Sequence, residues 1–324
     1  MKKSIVAFGE IMLRLTPPDQ NTIANADSLS VFYGGSESNV LISMSSMGDK
    51  TRFISAVPEN DIGASVIQHL HRYGVDSSLV KRTGETLGMY FLEEGFGKRP
   101  SKVIYFRKHA EITRLTKNDF DYDEVFFDCA LFHISGISFA LSESVLELCF
   151  TMLEEAKKRN IKISFDFNYR SKLWSEGEAK KVYKNIIPYA DIVFCSHKDL
   201  ETFLDVTVQS YNKKYPDTEY LIVREREILA SGLHKVKSDI YRGALEKASL
   251  QEQSFVVLER IGGGDAFAAG VLHALLKNPD NLKDALRFGT ACFILKHTIK
   301  GDVLPLGEEE IHTYLNHLSK DVTR

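Results

Sequence analysis

Cysteine is scarce, with four residues in 324, at positions 129, 149, 195 and 292. Their scatter excludes a zinc pair and a Cys-x-x-Cys redox motif, and three of them sit in apolar runs, as reduced core residues do. No uncharged run approaches the roughly 18 residues that a membrane-spanning helix needs. The apolar stretch behind Met1-Lys2-Lys3, Ile5 to Phe8, is too short for a secretory h-region, so the cytoplasm is the expected compartment. An excess of charge is lacking too: 41 basic against 44 acidic side chains leave a formal net charge of −3. That gives no general attraction for nucleic acid or an anionic membrane, and neither is expected as a partner. Any anion must be held locally. Histidines 69, 71, 133, 197, 234, 273 and 297 show no metal-ligand spacing, and His133, in an apolar strand, reads as a core residue.

What is present is an ordinary globular composition, 44% hydrophobic and 26% charged, enough for a large core in one to three domains. Apolar stretches of β character alternate with helical patterns, the signature of βαβ units around a largely parallel sheet. Strands are predicted at Ile5 to Gly9, Arg52 to Val57, Ala130 to Ser135, Ile161 to Phe167, Asp191 to Phe194 and Tyr220 to Val223. Residues 61 to 73 place Ile62, Val66, Ile67, Leu70 and Tyr73 on one helical face. Residues 142 to 158 do the same with Val145, Leu148, Cys149, Met152 and Ala156, with Ser142 as N-cap. Further helices are predicted at 264 to 277, 281 to 297 and 308 to 319. Two segments break the alternation. Residues 88 to 94 and 102 to 107 form a hairpin pattern around Gly95-Phe96-Gly97-Lys98-Arg99-Pro100, and residues 11 to 33 have no helical period. Both read as a small β-rich excursion from the main domain. Residues 205 to 219 and 232 to 253 are poorly patterned and carry no assignment.

Three features could carry chemistry. Gly262-Gly263-Gly264-Asp265 precedes an almost uncharged helix, which puts free backbone N–H groups at a helix start, a ready site for phosphate or an oxyanion. Asp265 is the only carboxylate from Arg260 to Leu272; it is either a base or an ordinary helix cap. In Tyr33-Gly34-Gly35-Ser36-Glu37-Ser38-Asn39, missing side chains at Gly34 and Gly35 would let a ligand lie against the backbone, with Asn39 offering donor and acceptor. A plain strand-to-helix turn is the alternative. Neither cluster is a Walker A loop or a dinucleotide fingerprint. Third, the strand ending at Phe167 delivers Asp166, Asn168, Arg170 and Lys172 to one sheet edge, where open α/β sheets bind ligands. Tyr105 and Arg107 share a face of the hairpin, and with Arg170 they would suit a carboxylate-bearing polyol.

Together the two glycine motifs resemble the paired signatures of the ribokinase-like (PfkB) sugar kinases. Gly9-Glu10-Ile11-Met12-Leu13-Arg14-Leu15-Thr16-Pro17, Val57 to Gly63, Arg99-Pro100-Ser101, Asp166 to Arg170 with Leu173-Trp174, and Arg260-Ile261-Gly262 are similar to the 2-keto-3-deoxygluconate kinase branch. The resemblance spans nearly the whole chain. It implies a three-layer α/β/α fold with a mostly parallel central sheet, residues 1–10, 34–87 and 111–324, and a small β-sheet lid, residues 11–33 and 88–110, through which the chain forms a homo-oligomer. It implies ATP-dependent phosphorylation of 2-keto-3-deoxygluconate, the alternatives being a kinase for a neutral sugar such as fructose or a sensor without turnover. Asp265 would be the base, and the backbone of Gly262, Gly263 and Gly264 the anion hole for the γ-phosphoryl group. Gly34, Tyr90, Tyr105, Arg107 and Arg170 would hold the sugar acid, with Asp302 as a further contact; Asn168, Ser196 and Arg224 would lie near the nucleotide. Magnesium would bridge the phosphates through water, with no direct protein ligand and Asp199 as a water-mediated one. Ser196-His197-Lys198-Asp199 departs from the family's Asn-x-x-Glu, Glu259 replaces an aspartate, and Ser36 and Ser38 replace alanines.

Overall fold

The computed structural model describes residues 3–230, 232–243 and 246–316. Its main sheet contains β1 (Ser4–Phe8), β4 (Thr51–Val57), β5 (Val80–Arg82), β8 (Cys129–Ser135), β9 (Lys162–Asp166), β10 (Ile192–Cys195), β11 (Tyr220–Ala230), β12 (Leu233–Arg242) and β13 (Glu246–Val256). Their spatial order is β13-β12-β11-β10-β9-β8-β1-β4-β5. From β5 to β11 every pairing is parallel, while β12 and β13 join antiparallel. Parallel strands need helical crossovers, and those helices cover both faces. Alternate residues of one strand therefore enter different cores: Ile5 and Ala7 pack on one side of the sheet, Val6 and Phe8 on the other. That is why these strands read as continuous apolar runs.

The predicted strands are all present. Helix Asp61–Arg72 is capped by Asn60, whose side chain accepts from Ile62 N and Gly63 N; Val66 and Leu70 are buried, but Ile62, in the first turn, is 44% exposed. Helix Glu143–Lys158 has Ser142 as its N-cap, and its five predicted core positions are all buried. The helix predicted at 308–319 is described as Glu308–Asn316, and its last positions lie outside the described residues. Both unassigned stretches carry structure. Residues 205–219 contain helix Val208–Lys214, and residues 232–253 lie largely in β12 and β13. Strand β11 also continues past Val223 into a charged, increasingly exposed half. This edge of the sheet projects toward water, so its strands lack the apolar runs that mark the interior.

A second sheet holds β2 (Met12–Thr16), β3 (Ser30–Gly34), β6 (Met89–Glu93) and β7 (Lys102–Phe106), in the order β3-β2-β6-β7. The hairpin expected around residues 95–100 is the antiparallel β6–β7 pair, and β2 joins β6 in parallel. Register places Phe32, Arg14, Tyr90 and Tyr105 in one row across the sheet. Arg14 and Tyr90 in this row are buried, whereas on the other face Val31 is 55% and Phe106 56% exposed. All four cysteines are free and buried. Among the described residues no helix is long and apolar enough to cross a membrane.

Candidate active site

A cleft of about 600 Å³ opens between the inner face of the small sheet and the C-terminal ends of the parallel strands. It is lined by every residue predicted for the site: Gly34, Gly35, Asn39, Tyr90, Tyr105, Arg107, Asn168, Arg170, Ser196, Asp199, Arg224, Gly262, Gly263, Gly264, Asp265 and Asp302. Residues as far apart as 34 and 302 meet because crossover connections return each strand in the same direction, so their ends converge.

At the reacting centre, Gly262 caps helix Gly263–Lys277 with φ of 78°, a left-handed conformation that suits glycine. A Cβ there would also lie 1.7 Å from the Asp302 carbonyl oxygen. The amides of Gly263, Gly264 and Asp265 occupy the first turn, where no carbonyl four residues back lies inside the helix. Asp265 does not cap the helix. Its Oδ1 accepts from Ser36 Oγ at 2.9 Å, and its Oδ2 from Asn39 Nδ2 at 2.7 Å. Ser36 in turn accepts from Asn168 Nδ2 at 2.7 Å. Burial raises the Asp265 pKa, while Asn39, Ser36, Arg170 and Arg224 pull the other way and favour the carboxylate.

The small-sheet end is closed by paired charges. Arg14, with no exposed surface, donates to Glu259 Oε2 at 2.5 Å, Asp302 Oδ1 at 2.8 Å and Thr16 Oγ1 at 3.0 Å. Tyr90 donates to Asp302 Oδ2 at 2.6 Å. Burial raises the Asp302 pKa to about 6 against the opposing pull of Arg14. The Glu259 Oε1 atom accepts from the amides of Arg260 and Ile261, which anchors the chain entering the glycine loop. Arg107 is ion-paired with buried Glu10, leaving Arg107 Nε without a partner. Two expectations change here. The close approach at Gly34 and Gly35 is made by the protein itself: a Cβ at Gly34 would sit 2.3 Å from Asp302 Oδ2, and one at Gly35 1.7 Å from the Glu10 carbonyl oxygen. The Asn39 amide is spent on Asp265.

The opposite end is rich in unpaired arginine. Arg224, Arg226 and Arg260 line it, Arg170 stands between the two ends, and among the described residues none of the four has a carboxylate within 4 Å. Arg224 stacks its guanidinium 4.6 Å from the Phe293 ring centroid and 5.4 Å from that of Phe267. Arg226 is on the exposed half of β11, but partial desolvation at the cleft wall, with repulsion from Arg260, Arg224 and Arg170, lowers its pKa to about 10. Asp166 is raised to about 7 by burial and by Asp265 and Asp199. Ser196 and Asp199 close on each other, with Asp199 Oδ2 accepting from Ser196 N at 2.8 Å and from Ser196 Oγ at 2.7 Å. Among the described residues no group of three or more acidic, His or Cys side chains forms a ready metal cage.

The profile of the pfkB family carbohydrate kinases matches residues 2–234. The chain belongs to that family. It is a sugar kinase with the ribokinase-like fold. The 2-dehydro-3-deoxygalactonokinase of Haloferax volcanii is 31% identical over 320 residues, 97% of each chain. The 2-dehydro-3-deoxygluconokinase of Bacillus subtilis is 27% identical over 321 residues, 95% of this chain and 94% of that one. The crystal structure of 2-dehydro-3-deoxygluconokinase from Thermotoga maritima superposes with a TM-score of 0.92 at 32% identity, covering 97% of this kinase and 98% of its neighbour.

Several site residues of this kinase escaped the sequence reading. Arg14 and Glu10 lie in the quoted 9–17 segment but received no role. The signal for Arg14 was its place between Met12 and Thr16, in the inward row of a strand where a cation is out of pattern. Ser36, noted above only as replacing an alanine, is a direct partner of Asp265.

Proposed function

We propose that this kinase transfers the γ-phosphoryl group of ATP to the terminal hydroxyl of 2-keto-3-deoxygluconate, giving the 6-phospho sugar acid and ADP. The observation that carries the reading is the arrangement around Asp265: a carboxylate held by Ser36 and Asn39 beside first-turn amides, with Arg170 and Arg224 facing the same cleft. Asp265 takes the proton of the attacking hydroxyl. That oxygen bonds to the γ-phosphorus as the bond to the β–γ bridging oxygen breaks, and the Gly263, Gly264 and Asp265 amides meet the charge on the transferring group. The sugar lies toward Tyr90, Tyr105, Arg107, Arg170, Gly34 and Asp302; the nucleotide lies toward Asn168, Ser196 and Arg224.

Magnesium would be held with the nucleotide phosphates, Asp166 and Asp199 reaching it through water. Asp166 and Asp199 line the nucleotide end with pKa values raised chiefly by burial, and among the described residues no group of three or more such ligands surrounds them. When bound, the ion neutralises phosphate charge. Residues 11–33 and 88–110 act as a lid that excludes water, and its outer face, with Val31 and Phe106 exposed, is covered by a second copy of the chain.

The names of the sugar-acid kinase relatives, and Arg170 without a carboxylate partner among the described residues, favour an acid over a neutral sugar. The deciding experiment is ADP release with ATP and magnesium across 2-keto-3-deoxygluconate, its galactonate epimer and fructose. Turnover of the gluconate form with at least roughly 10⁴-fold discrimination against fructose is expected, because a site built around a polar group rejects analogues lacking it. Equal use of fructose would overturn the acid assignment, and a preference for the epimer would overturn the gluconate one.

A further inference from the structure

Among the described residues Lys296 is the only buried lysine, and it has no exposed surface. It ends helix Leu282–Lys296 directly beneath the glycine loop. Its ammonium donates to the Ile299 carbonyl at 2.9 Å, and its Cε would lie 3.3 Å from a Cβ at Gly262. The next residue continues the same support. The His297 carbonyl accepts from Leu258 N at 2.8 Å and Glu259 N at 3.1 Å, and its ring fills the space a side chain at Gly263 would need, 2.2 Å away. The end of this helix is thus the floor under residues 258–263.

Among the described residues the Lys296 ammonium has no carboxylate within 4 Å, and it feels Glu259 and Asp302 through space. Glu259 and Asp302 are buried carboxylates, and Arg14 takes both in direct ion pairs. Arg14 also has Glu94 at 3.8 Å, so one guanidinium faces three carboxylates behind the loop, against the phosphates expected in front of it. A buried ammonium is costly, and a methionine or leucine would fill the same volume without that cost. We propose that Lys296 is a positioning residue for phosphoryl transfer, a tethered cation that holds the Gly262–Gly264 loop from behind and offsets the negative charge of Glu259 and Asp302. The proposal rests on the reading of these amides as the phosphoryl cradle. Burial lowers the Lys296 pKa to about 8, with Glu259 and Asp302 opposing the fall and Arg14 adding to it. Tyr90 faces the same cluster through Asp302, and Asp265 faces it from the catalytic helix. Asp302, at about 6, titrates on the acid side.

The test compares wild type with Lys296→Met and Lys296→Arg. Lys296→Met is expected to lower kcat roughly 10- to 100-fold, the scale of one misplaced charge or donor at such a site. The KM for the sugar should stay within about threefold and the melting temperature within a few degrees. Ammonium chloride should restore part of the lost kcat, and sodium chloride should not. In wild type, kcat/KM for ATP should fall above about pH 8 as Lys296 loses its proton. In Lys296→Arg that alkaline limb should move up by more than about one pH unit, because a guanidinium stays charged. The limb decides the matter if Lys296→Met does not fold. A normal kcat in Lys296→Met, a loss that only follows falling stability, or a limb unmoved by arginine overturns the proposal. Normal turnover in Gly264→Ala and Asp265→Asn would instead overturn the underlying reading of the cradle.

Discussion

At the small-sheet end of the cleft Arg14 meets Glu259 and Asp302, Arg107 meets Glu10, and Tyr90 closes on Asp302. At the other end Arg224, Arg226 and Arg260 face the same space, with Arg170 between the two ends, and none of them has a carboxylate within 4 Å among the described residues. The first end is assembled before any ligand arrives. Its buried charges are neutralised internally, so binding there selects shape and hydrogen bonding with little reorganisation. The second end is incomplete alone, because its cations repel one another until a polyanion enters. The contrast fits two different ligands, a small sugar acid with one charge and a nucleotide with several.

The comparison is tested most severely at the carboxylate between the two ends. Asp265→Asn keeps the hydrogen-bonding shape and removes the base, so kcat should fall by roughly 10² to 10⁴, typical of general-base loss, while both KM values change little. Steady-state kinetics for both substrates checks this, and a near-normal kcat removes Asp265 from the role. A matched pair of variants then separates the ends. Arg14→Leu leaves Glu259 and Asp302 buried without their cation and should destabilise the fold by about 3 to 5 kcal/mol, measured by denaturant unfolding. Arg226→Ala, at an exposed site without an acidic partner, should cost less than about 0.5 kcal/mol of stability. Its effect should appear as a KM for ATP raised about tenfold. If both variants behaved alike, the division into a prebuilt end and a ligand-completed end would fail.

How much of this was legible depended on where the physical signal is local. Parallel strands buried on both faces are continuous apolar runs, and Ile5 to Phe8 or Ile192 to Phe194 can be read directly. The outer half of β11 is Arg-Glu-Arg-Glu, and its strand character comes from pairing with β12, which no local pattern announces. In the site, Asp265 stood out as an isolated carboxylate beside glycines, and both glycine motifs pointed to one family. Arg14, Ser36 and Lys296 did not stand out, because their importance lies in partners 229 to 288 residues away for the first two, and for Lys296 in packing against Gly262. Gly34 shows the limit from the other direction. Its missing side chain reads as room for a ligand, whereas the group that fills that room is Asp302.

A smaller effect should follow from pH. Asp166 titrates at about 7, raised chiefly by burial and then by Asp265 and Asp199. Its folded pKa is above the ordinary carboxylate value, so it is charged above pH 7 and neutral below it. If its negative charge helps to hold hydrated magnesium with the nucleotide, kcat/KM for ATP should fall by up to about tenfold per unit below pH 7. The same limb should be absent in Asp166→Asn, and kcat/KM for the sugar at saturating ATP should not share it. A limb common to both substrates would place the titration at Asp265 and blur the contrast between the ends.

The smallest change is expected where the family pattern is altered. The resemblance to the family implies asparagine and glutamate at positions 196 and 199, and here Asp199 Oδ2 is used by Ser196 N and Oγ to cap a short helix. That capping box turns the carboxylate back toward its own chain, while the neighbouring Glu225 accepts from His197 N at 2.7 Å and pairs with the His197 ring at 2.9 Å. Ser196→Asn combined with Asp199→Glu would lengthen the carboxylate by one methylene and free it to reach toward the phosphates. The gain or loss of one water-mediated hydrogen bond is worth about 1 kcal/mol, so the KM for ATP should move by no more than about fivefold. The KM for the sugar should not move at all, because Arg14, Tyr90 and Asp302 are held by partners that this substitution does not touch. A sugar KM that shifted in step with that for ATP would mean that the prebuilt end is tuned from the nucleotide end after all.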